Sequence, residues 1–249
     1  DRMHHQDGNF VVSPACLTAG LALLETGANG ETAREIARAM QRPNGVMRDD
    51  LAVAAFVQDL NADGPEQSFQ IRLANALWVQ EGYSLLDAYT ARLRDVFAVE
   101  NPVVDFAGRP ADAYRVINDW TETRTSGKIG AMLTPSEISA PTRMVLTSAL
   151  DFRANWTQCF AQKDTKWEPF EIKPGEPVDV PMMNFHSYFH IHGYFENETV
   201  QALSIPCGTD LELAMVIVLP RTHGGLTEVE ASLTREMIES WCSGFRVVS

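Results

Sequence analysis

Cysteine, positive charge and long apolar runs are all scarce in this sequence, and each scarcity removes a class of function. The 249 residues hold four cysteines, Cys16, Cys159, Cys207 and Cys242, and no pair has C-x-x-C spacing. A zinc ribbon or a dense disulfide framework needs closer thiols, so these four read as small buried hydrophobes. Lys and Arg number 20 against 33 acidic residues, for a formal net charge of −13. Non-specific nucleic-acid binding and attachment to anionic lipid both depend on clustered cations, so neither a nucleic-acid nor a membrane partner is expected. No run approaches the ~20 apolar residues of a bilayer-spanning helix. G-x-S-x-G, H-E-x-x-H, G-x-x-x-x-G-K-[ST] and G-x-G-x-x-G are all missing, which leaves no local signature of a hydrolase, a zinc protease or a nucleotide site. There is no internal repeat and no Gly/Ser/Pro-rich linker, so residues 1–249 are expected to form a single domain.

What is present is a change of period along the chain. Asn9–Val12 reads as a short strand. Ser13-Pro14 then opens a helix, with Ser capping free N–H groups and Pro tolerated in the first turn. Leu17, Leu21 and Leu24 recur at helical spacing in a segment apolar nearly all round, which predicts a central helix. Gly27-Ala28-Asn29-Gly30 ends it, and helices over Glu31–Met40 and Asp49–Leu60 follow. Alternation at Phe69, Ile71, Leu73, Asn75, Leu77 and Val79 predicts a strand. Helical spacing returns at Leu85–Phe97, and Pro102–Phe106 is a short strand. A helix over Asp112–Ser126 carries Ala113, Val116, Ile117 and Trp120 on its core face. Arg143–Trp156 is apolar on much of both faces, as a strand in the middle of a sheet would be. Strands over Pro169–Ile172, Tyr188–Phe195, Val200–Ile205 and Leu211–Leu219 come next, then two short helices and a strand from Arg246. Helices early and antiparallel strands late make an α+β pattern.

Candidate chemistry is sparse. Gly27-Ala-Asn-Gly30 lies between two helices and reads as a cap and turn, not a phosphate cradle. His186, His190 and His192 share one face of a strand, a spacing open to zinc or copper, but no further ligand follows closely. The other reading is a solvated strand face, and no metal or other cofactor is expected. Asn155-Trp-Thr157 and Asn197-Glu-Thr199 are glycosylation sequons that matter only in a secreted protein.

Seven stretches in order carry a resemblance: Asn9-Phe-Val-Val-Ser-Pro14, Thr26–Ile36, Ala74-Asn-Ala-Leu-Trp-Val79, Ile117–Ile129, Thr142–Trp156, Val180-Pro-Met-Met183 and Met215-Val-Ile-Val-Leu-Pro220. Together they resemble the serpin family of serine-protease inhibitors. The resemblance implies an α+β serpin fold, with helices packed on a large central A-sheet plus B- and C-sheet strands. It implies an inhibitor, not an enzyme, whose reactive-centre loop is cleaved by a serine or cysteine protease and inserts into the A-sheet. In the family, a shutter at the sheet centre uses two serines and an asparagine. Ser13 matches the first serine, Cys16 stands at the second and Ser148 at the asparagine. The breach tryptophan is matched by Trp156, with Ala154 in place of the usual glycine before it. These departures take hydrogen-bonding capacity out of the shutter. The family comparison also implies that the fold is incomplete: the reactive-centre loop, with its P1 residue, falls beyond Ser249, so this chain alone is expected to be inactive. The third helix opens on Asp49 and Asp50 with Arg48 nearly alone, so no heparin-type cofactor is expected. The alternative within the fold is a non-inhibitory serpin acting as carrier, storage protein or chaperone. An alternative outside it is a metal-binding protein using the three histidines. An extracellular or secreted location is expected.

Overall fold

The computed structural model describes residues 9, 11–42, 50–61, 68–173, 175–184, 192–209, 211 and 213–248. These fall into two compact units, one of residues 1–62 with 70–152, the other of residues 63–69 with 153–249.

In the first unit, Ser13 caps α1 (Pro14–Gly27): its side chain accepts from the Cys16 N–H at 3.2 Å, and Pro14 fills the first turn. Such a cap contributes about 1 kcal/mol. Then come α2 (Gly30–Ala39), α3 (Asp50–Leu60), β1 (Phe69–Gln80), α4 (Asp87–Asp95), β2 (Val103–Val104), α5 (Pro110–Arg124) and β3 (Met144–Ala154). The strands form one sheet in the order β2-β1-β3, with β2 parallel to β1. Alternation along β1 explains the core. Leu73, Leu77 and Val79 face one way, into clusters with Ala19, Leu23, Ala54, Val57, Leu93 and Phe97 of α1, α3 and the α4 region. Ala76 and Trp78 face the other way, against Phe106 and the Ala113 and Ile117 of α5. A strand buried on both faces reads as a nearly unbroken apolar run, as Ala76–Val79 does. Glu25 of α1 is buried and ion-paired to Arg42, which ties the end of α1 to the chain leaving α2.

Among the described residues Arg143–Trp156 has a strand neighbour on one side only: β3 lies at one end of the order and β1 is central. Three expectations change here. Asn9–Val12 forms no strand among its described residues, and Val11 is fully exposed. Leu17 and Leu24 point outward while Ala19, Gly20, Ala22 and Leu23 are buried. The small-residue face wins because it permits close approach: a Cβ placed on Gly20 would lie 3.4 Å from Leu146 Cδ2. Val116 is half exposed, and Asn118 and Thr121 take core positions on α5 instead. Asn118 is tolerated there because it bonds Met132 N, Leu133 N and Leu133 O, each at 2.9 Å, which satisfies the loop after the helix.

The second unit holds a two-stranded sheet, β4 (Lys166–Lys173) with β5 (Glu176–Met182), and a four-stranded one in the order β8-β7-β6-β9. The latter consists of β6 (His192–Glu196), β7 (Val200–Cys207), β8 (Leu213–Pro220) and β9 (Arg246–Val248), all paired antiparallel. The part of the expected Tyr188–Phe195 strand that precedes His192 lies outside the described residues. Two helices, α6 (Leu226–Ser232) and α7 (Arg235–Ser243), precede β9, and Thr234 caps α7 by accepting from Met237 N. The strand β5 has no counterpart among the sequence expectations; it carries Pro177 and Pro181, which are tolerated because in a two-stranded sheet every strand is an edge.

Candidate sheet-opening site

The residues singled out for sheet control fall at two places. The first is the layer between α1 and the sheet. Cys16 is half-buried and packs against the cluster of Ala19, Val57 and Leu73, beside Leu60 and Leu150. Ser148 lies on β3 between Leu146 and Leu150, both of which contribute to the clusters under α1, so alternation aims it at the same layer. Its Oγ is sealed from solvent and has no hydrogen-bond partner among the described residues. A sealed hydroxyl without a partner costs about 1–3 kcal/mol. The Ser13 oxygen serves the helix cap, and among the described residues no side-chain hydrogen bond joins it to Ser148. Asn75 of β1 also has a sealed Oδ1 without a partner. Asn75 lies within the Ala74–Val79 stretch of the resemblance, and its place between Leu73 and Leu77 in an otherwise apolar series marks it as well.

On the opposite face a polar relay crosses the sheet. Trp78 Nε1 donates to Thr147 Oγ1 at 3.0 Å, and Thr147 Oγ1 donates to the Ala76 carbonyl at 3.4 Å. The Trp78 and Trp120 rings meet edge to face at 5.8 Å, which fixes α5 across β1. The available signal was Trp120 on the core face of the predicted helix and Trp78 in the apolar run of the strand.

The second place is the corner after β3. Trp156 pairs with Cys207 at the end of β7, and its ring meets Phe160 edge to face at 5.9 Å. Around it Asn155 N donates to Ser68 O, Thr157 N to Pro206 O, Gly208 N to Asn155 O, and Thr157 Oγ1 to Gly208 O at 2.6 Å. Gly208 holds φ +82°, a conformation that favours glycine, and an added Cβ would meet Phe69 and Ser68 at 3.3 Å. Asn155 and Asn197 are both exposed; Asn197 Oδ1 accepts from Thr199 N, Thr199 Oγ1 and Val200 N. Of the three histidines, His186 and His190 lie outside the described residues. His192 is buried, and burial pushes its imidazole below the ordinary value. Among the described residues no group of three His, Cys, Asp or Glu is placed to hold a metal ion, and no helix is long and apolar enough to cross a membrane.

A small sheet clad on both faces by helices, followed by separate two- and four-stranded sheets, defines the serpin class of fold. Emu ovalbumin superposes with a TM-score of 0.86 over 99% of this chain and 67% of its own, at 24% identity. Reactive-loop-cleaved human thyroxine-binding globulin gives 0.86 over 98% and 70%, at 22% identity. The family model described as "Serpin (serine protease inhibitor)" matches residues 2–248, and the chain belongs to the serpin family. That family is one of inhibitors, not of enzymes. A serpin-like protein of Thermococcus kodakarensis is 38% identical over 96% of this chain and 54% of its own length. Bovine leukocyte elastase inhibitor is 31% identical over 96% and 63%. The chain thus spans between half and two thirds of the length of these relatives.

Proposed function

We propose that these residues are the loop-receiving portion of a serpin that inhibits serine or cysteine proteases by inserting its cleaved reactive-centre loop beside β3. The observation that carries this reading is the position of β3. It is 11 residues long and is bonded to β1 in the three-stranded sheet of a chain that matches the serpin family over residues 2–248. Its faces are already covered, so a strand added beside it gains ladder hydrogen bonds and buried area together. In this reading α5, packed on one face, must yield for the sheet to widen, and the layer of Ser13, Cys16 and Ser148 is the shutter. Trp156 marks the breach, where Gly208 and Thr157 hold the corner. Relatives with printed inhibitor names, leukocyte elastase inhibitor among them, support a protease as partner. Exposed Asn155 and Asn197 sequons support a secreted protein; nucleic acid, membrane and heparin are not partners in this proposal.

The test uses the longer protein that carries this chain, incubated with trypsin, chymotrypsin and elastase. An SDS-stable complex with one of them is expected. Hydrolysis of the loop without a complex overturns inhibition. That outcome selects the non-inhibitory reading, which the unpartnered Ser148 hydroxyl and the Cys16 substitution favour.

A further inference from the structure

The edge of β1 that faces β2 is served unevenly. Leu77 N donates to Glu100 O and Val79 N to Pro102 O, both at 3.0 Å, through the strand and bridge at residues 100–104. Leu73 is served differently. The Asn61 side chain lies against it, Oδ1 accepting from Leu73 N at 2.7 Å and Nδ2 donating to Leu73 O at 3.1 Å. One carboxamide thereby replaces one residue of a neighbouring strand. Between these two lies Asn75. Alternation points its N–H the same way as those of Leu73, Leu77 and Val79. Among the described residues no group on that side accepts from it.

A cavity of about 550 Å³ opens at this gap, within the first unit. Asn75, Leu73, Val57, Phe97, Val99 and Trp120 are among its lining residues. Asn75 Oδ1 and Trp120 Nε1, an acceptor and a donor, both lack partners among the described residues. The charged walls are already engaged: Arg124 pairs with Glu100 and lies over the Trp120 ring at 5.8 Å, while Arg72 Nη1 donates to the carbonyls of Asn61 and Ile71.

We propose that this cavity binds a small neutral carboxamide with an apolar body. The amide takes at Asn75 the place that the Asn61 amide takes at Leu73, accepting from the Asn75 N–H. The apolar body lies among Val57, Phe97 and Val99. Rotation of the Asn75 side chain turns its unpartnered Oδ1 to accept from the ligand's N–H, while Trp120 keeps its place against Trp78 and reports on the bound ligand. Engaged wall charges select against an ionised ligand, because a carboxylate or ammonium would be desolvated without a free counter-charge. The volume falls in the range of small-molecule sites. Nothing in this proposal depends on protease inhibition.

Benzamide is the probe and benzene its control, titrated into the ¹⁵N-labelled chain and followed by two-dimensional NMR. Benzamide is expected to move the Asn75 amide and the Trp120 indole resonances in a saturable way, the latter assigned with Trp120→Phe, while benzene moves neither. Asn75→Leu is expected to weaken benzamide about fivefold, the effect of one lost hydrogen bond. If Asn75→Leu does not fold, Asn75→Ala serves for the same comparison with the same expected loss. The proposal is overturned by the absence of a saturable shift at these two resonances, by benzene acting equally, or by unchanged affinity in the variant that folds.

Discussion

The two units bury their strands to different degrees. In the first, β1 has helices α1 and α3 on one face and α5 on the other, and the three principal apolar clusters among the described residues belong to it. In the second, β7 is well buried through Val200, Ala202 and Ile205, yet its neighbour β8 leaves Met215, Val216, Ile217 and Leu219 exposed. The β4–β5 hairpin likewise leaves Trp167 at 73% exposure, with Phe170, Ile172 and Val178 open. Both units are rich in strand-forming residues. Among the described residues, cover by neighbouring elements and not the strand's own composition separates the two units.

The contrast can be broken most directly in the first unit. Trp78→Ala removes a buried ring and the donor to Thr147, and is expected to cost about 3–5 kcal/mol in urea unfolding. The matching change in the second unit, Val216→Ala on exposed β8, is expected to stay within about 0.5 kcal/mol. Equal losses at the two sites would end the comparison. Next in size is the buried pair: Arg42→Ala takes the paired cation away from the buried Glu25 carboxylate of α1, for an expected loss of about 3 kcal/mol in the same assay. Ser148→Ala works in the opposite direction. It removes a sealed oxygen without a partner, and is expected to stabilise the first unit by about 1 kcal/mol.

The smallest effect concerns pH and the second unit. Burial depresses the His192 pKa in the fold, so the unfolded chain takes up that proton first. Stability is then unaffected well above the ordinary value of 6.5 and declines as pH falls through it. The decline stops growing once the folded imidazole itself protonates. Thermal melts between about pH 8 and pH 5, with His192→Phe as control, should show the slope in the parent and a flatter profile in the variant.

Much of the fold was legible in the sequence, for reasons visible in particular residues. The alternation from Phe69 to Val79 and the Ser13-Pro14 start are local signals, and both elements formed where they pointed. The packing face of α1 was not legible, because leucines outweigh alanines in any hydrophobicity count while close approach to the sheet selects the alanine face. The candidate site was less legible still. Cys16 and Ser148 drew notice only through resemblance to the serpin family, and Ser148's missing partner is a fact of three dimensions. Asn61 gave no signal, since one asparagine at a helix end looks like any other until Leu73 lies opposite.

The hairpin prolines bear on where this chain would nucleate ordered aggregates. Pro169, Pro177 and Pro181 fall on the β4–β5 pair, opposite Asp179, Glu171 and Trp167 respectively. Each lacks an N–H, so a strand stacking on the hairpin meets gaps in the donor row. The run Leu213–Leu219 on β8 contains neither a proline nor a charged residue. Fibril growth, which copies an unbroken donor row from one molecule to the next, would therefore start from β8 and bypass the hairpin despite its exposed tryptophan.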